Sequence, residues 1–377
     1  MNSHEIMRFQ QQVQHNCDIS DARYGGVYSL CGFLLRLRDL YKWEHHLPPW
    51  QEPEPADLLD WIDRREQRWE KLTACEFQPL TIGAETFEPF DSTAINMRLR
   101  PLGLIYGSGY AAAMKPSFFL ARLIDSRRSG ELQIDLVDRE LARDLFMAPA
   151  MRQGPQIYAR RSAMLFAIWD QIMEMRPSAR DALFFALAQY NLDASKVRSH
   201  PTELGPQLLP VAELELNTWV HHEIGEARED VFQGYVWQEI VASYPDSPIE
   251  LFSRVVKDIL ADSHTEGLLG HIIEHRKRSS LGFYVSFMRP FTRLLFPEVL
   301  DAFKEFCSSG DWGMVAEARV KVYARTRGKA MALIDLHRQG KAKGAEWAKA
   351  KILSQLIEPL GILEALAAGD EDESTTE

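Results

Sequence analysis

From Arg139 almost to the end of this 377-residue chain, apolar residues recur at three- and four-residue spacing. That period matches a helix with one buried face, so it commits more than half of the protein to α structure before any motif is considered. Helices are expected over 139–150, 155–176 and 178–192. Further helices are expected at about 210–229, 231–243, 248–262, 264–279, 283–295 and 297–307. A last one over 312–365 should divide near Gly328 or at Gly340–Gly344.

The first 138 residues are more mixed. Tyr24, Val27, Tyr28, Cys31, Leu34 and Leu35 predict one long helix over 20–45, capped from Asp18, Ser20 or Asp21. The prolines of "HHLPPWQEPEP" stop it, because proline lacks the backbone donor that a helix needs. A second helix over 56–72 turns Leu58, Ile62 and Trp69 inward. "FQPLTI" reads as a short strand, and Asp91 as the cap of a short helix, "STAINMRL". In "SFFLARLIDSRRSGELQIDLVD", Leu132, Ile134 and Leu136 alternate with polar residues beyond a turn at Arg127–Gly130, which predicts a β-hairpin near 117–138.

The expected fold class is mainly α. An N-terminal helical domain over 1–200 carries a small β-hairpin, and a C-terminal helical bundle covers 206–366. The boundary is placed in "NLDASKVRSHPTELGPQLLP" (191–210), whose Pro, Gly, Ser and polar content suits a connection. Residues 367–377 form an acidic tail without apolar residues, expected to be disordered.

Composition serves to exclude. A net charge of −11 argues against a general binder of nucleic acid or anionic membrane. No apolar run approaches the roughly 20 residues of a membrane span, and the polar start "MNSHEIMRFQQQVQH" has no signal-peptide core. A cytoplasmic location is the resulting expectation. The four cysteines are scattered, which suggests reduced thiols, with Cys31 in "SLCGF" expected to be buried and a poor nucleophile.

The candidate chemistry lies in histidines. Five of eleven fall between His221 and His275. In "NTWVHHEIGEARED", Leu216, Val220, Glu223 and Ala227 share one helix side, with Trp219, His222 and Glu226 beside them. A His and a Glu four apart stand over the same turn and can share one cation. Gly225, costly in mid-helix, suggests a close backbone or ligand. Ser263-His-Thr-Glu266 reads as a capping box that starts a helix at His264, on which His271 and His275 share a face with Leu268 and Ile272.

If neighbouring helices meet, His222, Glu226, Asp262, His271 and His275 form a candidate site for Zn²⁺, Fe²⁺ or Mn²⁺, with His264 at its edge. Glu223 would then be the general base for a metal-bound water, or an open iron would bind dioxygen, giving a hydrolase or an oxidoreductase. "HEIGE" has Glu226 where the zinc-protease helix has a second His, which departs from that pattern. The competing reading is a polar margin between helices, where His271 and His275 hydrogen-bond Glu223 or Glu226 without metal.

Two other segments carry recognisable patterns. "GSGYAA" (107–112) matches a dinucleotide fingerprint, but Pro116 limits the helix such a site needs and no βαβ pattern surrounds it. Arg319–Lys351 holds ten Lys or Arg against Asp335 and Glu346, a local charge of about +8. Two uses follow: a basic outer face of a helix pair, or a surface for an acidic protein partner. Nucleic acid is disfavoured because only Tyr323 and Trp347 are available for stacking.

The combination "YGGVYSLCGFLLRLRDLYKWE", "HHEIGEA", "SPIELFSRVVKDILADSH" and "SLGFYVSFM" resembles an uncharacterised bacterial protein family, a set of domains of unknown function. The resemblance covers most of the chain. It implies a bacterial, cytosolic, two-domain protein and carries no substrate or catalytic residue with it.

Overall fold

The computed structural model describes residues 3–111, 114–232, 234–245 and 247–361. The acidic tail expected to be disordered lies outside the described residues. In chain order the elements are α1 (Ser3–Tyr24), α2 (Leu30–Glu44), α3 (Pro55–Glu70), β1 (Leu80–Ile82), β2 (Glu85–Phe87) and α4 (Ser92–Leu99). Next come β3 (Leu104–Tyr110), β4 (Pro116–Ser129), β5 (Leu132–Arg143), β6 (Ala150–Gln153), β7 (Gln156–Arg160) and α5 (Arg161–Glu174). Helices α6 (Pro177–Ala188), α7 (Ala194–Ser199), α8 (Pro201–Leu204) and α9 (Leu208–Arg228) follow. The remainder is α10 (Val236–Ser243), α11 (Pro248–Ser263), α12 (Leu268–Glu274), α13 (Arg278–Phe287), α14 (Pro290–Leu295), α15 (Pro297–Ser309), α16 (Trp312–Lys343) and α17 (Ala345–Ile352). The chain divides into two compact units, one of residues 1–174 with 193–220 and one of 175–192 with 221–377.

The first unit is built on a five-stranded sheet ordered β3-β4-β5-β7-β6. All neighbours are antiparallel except β5 and β7, which run parallel. One face packs Tyr106, Phe118, Leu120 and Ala142 on Phe9, Val13 and Cys17 of α1 and on Ile95 and Leu99 of α4. The other face buries Ile105, Phe119, Ala121, Val137, Met151 and Tyr158. A smaller core joins Leu37, Leu40 and Tyr41 of α2 to Trp61 and Trp69 of α3 and to Leu145. The mainly α class holds, but the β part is much larger than a small hairpin.

The helix expected over 139–150 is instead the end of β5 and the start of β6, and that expected from 155 begins as β7. With both sheet faces buried, these strands lose the polar alternation that marks a half-exposed strand. Their apolar residues then imitate a helical spacing. The single helix expected over 20–45 is two helices, separated by a 3-10 turn at Gly25–Val27. Ser29 caps α2, its hydroxyl accepting from the Gly32 N–H. Leu30, Leu34 and Cys31 point to solvent, while Leu37, Leu40 and Tyr41 point inward. Cys31 is therefore exposed, and Cys17 is the buried thiol.

"GSGY" lies in β3, with Gly107 opposite Phe119 and Gly109 opposite Ser117. It is a paired strand and not the strand-to-helix turn a dinucleotide requires. A Cβ on Gly107 would fall 2.0 Å from the Phe119 ring, so the glycine serves close packing.

In the second unit most expected helices form with shifted ends, but the one expected over 264–279 is only the short α12, and the one expected over 283–295 is divided between α13, which starts at Arg278, and α14, which Pro290 opens. Gly282 of α13 lets that helix lie against α6, where a Cβ would come within 2.9 Å of the Ala182 carbonyl oxygen and of Ala186. The capping box at Ser263 does not form. Ser263 still belongs to α11 and its hydroxyl donates back to the Ile259 carbonyl, so α12 starts only at Leu268.

Candidate functional site

The second unit holds the histidine–carboxylate region, on the end of α9 and on α11, α12 and α13. Of the α9 side that the spacing turns inward, Leu216, Val220 and Glu223 are buried and Ala227 is half-buried, and Ile224, which the spacing left off that side, is buried too. Gly225 marks a close helix contact. A Cβ there would fall 2.0 Å from the Ala261 carbonyl oxygen of α11. The backbone approach inferred from this glycine is thus a helix crossing.

That approach sets His222 beside Asp262. The two are 2.7 Å apart, Nδ1 to Oδ1, and Tyr284 of α13 donates its hydroxyl to Asp262 Oδ2 at 3.1 Å. Burial pulls the imidazole pKa down, but the Asp262 charge and its hydrogen bond outweigh that and lift His222 to about 10. At neutral pH it is an imidazolium paired through Nδ1 with the Asp262 carboxylate.

The other predicted ligands are placed differently. Glu226 meets Lys257 Nζ at 2.5 Å, and that ammonium also stands over the Trp237 ring. His271 stacks on His221 with ring centres 3.7 Å apart, and His275 lies 4.3 Å on, tilted. His264 ends α11, where its Nδ1 accepts from the Glu266 N–H. Among the described residues, no group of three or more His, Cys, Asp or Glu side chains is arranged to hold a metal ion.

The basic segment forms α16 and α17. Part of its charge is used internally. Arg325 pairs with Glu298, Arg327 with Glu229 and Asp230, and Lys341 with Glu239. Arg319 donates to the Ser263 carbonyl. Towards the C-terminal end this changes. Arg338, Lys341, Lys343, Lys349 and Lys351 are all exposed, and Lys343 Nζ sits 4.3 Å from the Trp347 ring centre.

Sequence reasoning missed a buried charge cluster inside the first unit. Lys115 Nζ bridges Asp21 at 3.0 Å and Asp144 at 3.2 Å, all three buried. The Leu145 N–H also donates to Asp21, and the Phe146 N–H to Asp144. Burial, set against Lys115 and its hydrogen bonds, leaves the Asp21 pKa raised to about 7. Nearby, Glu140 pairs with Arg160 at 2.6 Å and Arg143 at 3.5 Å, and Asp39 and Asp170 share Arg36 and Arg38. The sequence signal was present but weak. Lys115 immediately precedes the apolar start of β4, Glu140 and Arg143 flank Leu141 and Ala142 at the end of β5, and Arg160 closes the short β7; an unpaired charge buried at such places is not tolerated.

These features define a mainly helical protein with a mixed five-stranded sheet, ion-paired inside both units. The chain belongs to a family of unknown function, DUF6866, whose N-terminal domain matches residues 8–160 and whose C-terminal domain matches 165–355. No curated protein and no solved structure matches it. Among the described residues, no helix is long and apolar enough to cross a membrane.

Proposed function

We propose that this is a non-catalytic interaction protein, whose cationic surface at the end of α16 and along α17 receives an acidic segment of a protein partner. The observation that carries this reading is how the basic charge is divided. Arg325, Arg327 and Lys341 face carboxylates of their own unit, whereas no salt bridge to a described carboxylate holds Arg338, Lys349 or Lys351. A net positive stretch, with Glu346 its exposed carboxylate in α17, on a protein of net charge −11 steers an acidic partner to one place and repels it elsewhere. Trp347 adds a flat apolar surface beside the lysines, of the kind enriched at interfaces.

The test is binding of a labelled, glutamate-rich peptide by fluorescence anisotropy at low and at physiological salt. The triple variant R338E/K349E/K351E should bind at least about 10-fold more weakly, since three rim charges at roughly 0.5–1 kcal/mol each together exceed the 1.4 kcal/mol of a tenfold change. Equal binding by wild type and triple variant overturns the proposal. Single-stranded RNA of matched charge is the comparison ligand, and its binding better than the peptide would overturn it too.

A further inference from the structure

Packing gathers the cations at the end of α16. Gly344 turns the chain with a φ of 102°, and a Cβ on Gly340 would fall 2.5 Å from that of Ala348, so α17 folds back on α16 there. Arg338 and Lys341 flank Gly340, and Lys349 follows Ala348, so the crossing draws these exposed charges to one place. Lys341 meets Glu239, but no salt bridge to a described carboxylate holds Arg338, Lys343, Lys349 or Lys351. Like charges gathered in this way repel one another, and a run of carboxylates laid over them relieves that repulsion.

The same chain carries such a run close by. After Lys351 the sequence holds no Lys or Arg, and Asp370, Glu371, Asp372 and Glu373 follow one another in the stretch outside the described residues. The path between is short. From Lys351 to Gly361 the backbone is α, π and then 3-10 helical. Those ten residues span at most about 20 Å, at a rise of roughly 2 Å or less each. Asp370 lies nine residues past Gly361, and nine residues can extend up to about 30 Å. The carboxylates therefore reach the lysines of their own chain. Tethering over such a length gives an effective concentration on the order of 1 mM, far above that of a partner in solution.

We propose that the acidic run 370–373 occupies the cationic end of α16 and α17 in its own chain, and that an acidic partner has to displace it. As regulation this rests on the acidic-partner reading of that surface, although the contact itself is detectable with no partner present. With an intrinsic Kd of about 0.1 mM against an effective concentration of about 1 mM, the run fills the surface roughly nine tenths of the time and weakens a competitor about 10-fold.

Two measurements on the full chain test it. Carbodiimide coupling joins amines to carboxylates in direct contact, and mass spectrometry locates the bonds. Cross-links from Lys341, Lys343, Lys349 or Lys351 to residues 370–373 should form within single chains, keep their yield on about 10-fold dilution and fade at high salt. The second measurement is the affinity for a glutamate-rich peptide by fluorescence anisotropy. D370N/E371Q/D372N/E373Q should bind the peptide about 10-fold more tightly than wild type. D60N/D63N/E66Q/E70Q makes the same change of net charge on the exposed side of α3 and should bind as wild type does. Absence of the cross-links overturns the proposal, and so do cross-links found only between two copies, whose yield falls on dilution. Equal, measurable peptide affinity in wild type and the 370–373 variant overturns it too. If the cross-links form and no version of the chain binds the peptide, the contact within the chain stands and the acidic-partner reading falls.

Discussion

His222 shows what one residue's surroundings decide. Its sequence neighbours suggest a metal ligand, but its nearest partner is the Asp262 carboxylate, which makes it a cation. The folded pKa of about 10 lies above the ordinary value of 6.5, so the folded state binds the proton more tightly. The pair's contribution is therefore complete below pH 6.5 and lost as pH rises towards 10. Urea unfolding should show wild type losing stability over that window, with H222Q flat across it. At pH 6, H222Q should cost about 3 kcal/mol, as expected for breaking a largely buried pair. A wild-type curve parallel to that of H222Q from pH 6 to 10 would refute the ion-pair assignment.

The placing of the candidate ligands bears on metal, since among the described residues no three of them are arranged to share one ion. Protein purified without a histidine tag should contain well below one equivalent of Zn, Fe or Mn by elemental analysis. Near-stoichiometric metal that disappears in both H271A and E226A would restore the metal reading.

Between elements, glycine is the sharper reporter. Gly225 and Gly328 both lie within long helices and are alike by propensity. Their surroundings differ, since a Cβ at 225 meets a backbone carbonyl of α11 whereas nothing lies within 4 Å at 328. G225A should destabilise by about 3 kcal/mol as overpacking. G328A should stabilise by roughly 0.5–1 kcal/mol, the helix-propensity gain of alanine. Paired chemical denaturation curves separate the two, and equal effects would mean that α9 and α11 do not touch at Gly225. Elements also explain the misread strands. β6 and β7 are four and five residues long, and a run that short carries no period of its own.

At the level of the whole molecule, the division of the chain differs from a simple cut after residue 200. Residues 175–192 count with the second unit, where Leu183 and Leu187 of α6 are fully buried and Gly282 of α13 lies against Ala182. A fragment ending at residue 200 would carry α6 without α13 and expose that face. It should elute as aggregate in size-exclusion chromatography, while the full chain elutes as a defined species. A well-behaved monomer of 1–200 would show that α6 does not need α13 to cover its apolar face.

The amino-acid sequence by itself determined the helical majority, most helix positions after residue 200 and the inward side of α9, because a 3.6-residue apolar period is a local property of the chain. It also marked Gly225 as a point of close approach. Tertiary structure decided the five-stranded sheet, since strands buried on both faces carry no alternation and find their partners far away in sequence. It decided the surroundings of the histidines, because the carboxylate that His222 meets is the one that a neighbouring helix delivers. The buried charges of the first unit follow the same logic. Lys115, Asp21 and Asp144 are scattered over 124 positions, and only folding makes them one group.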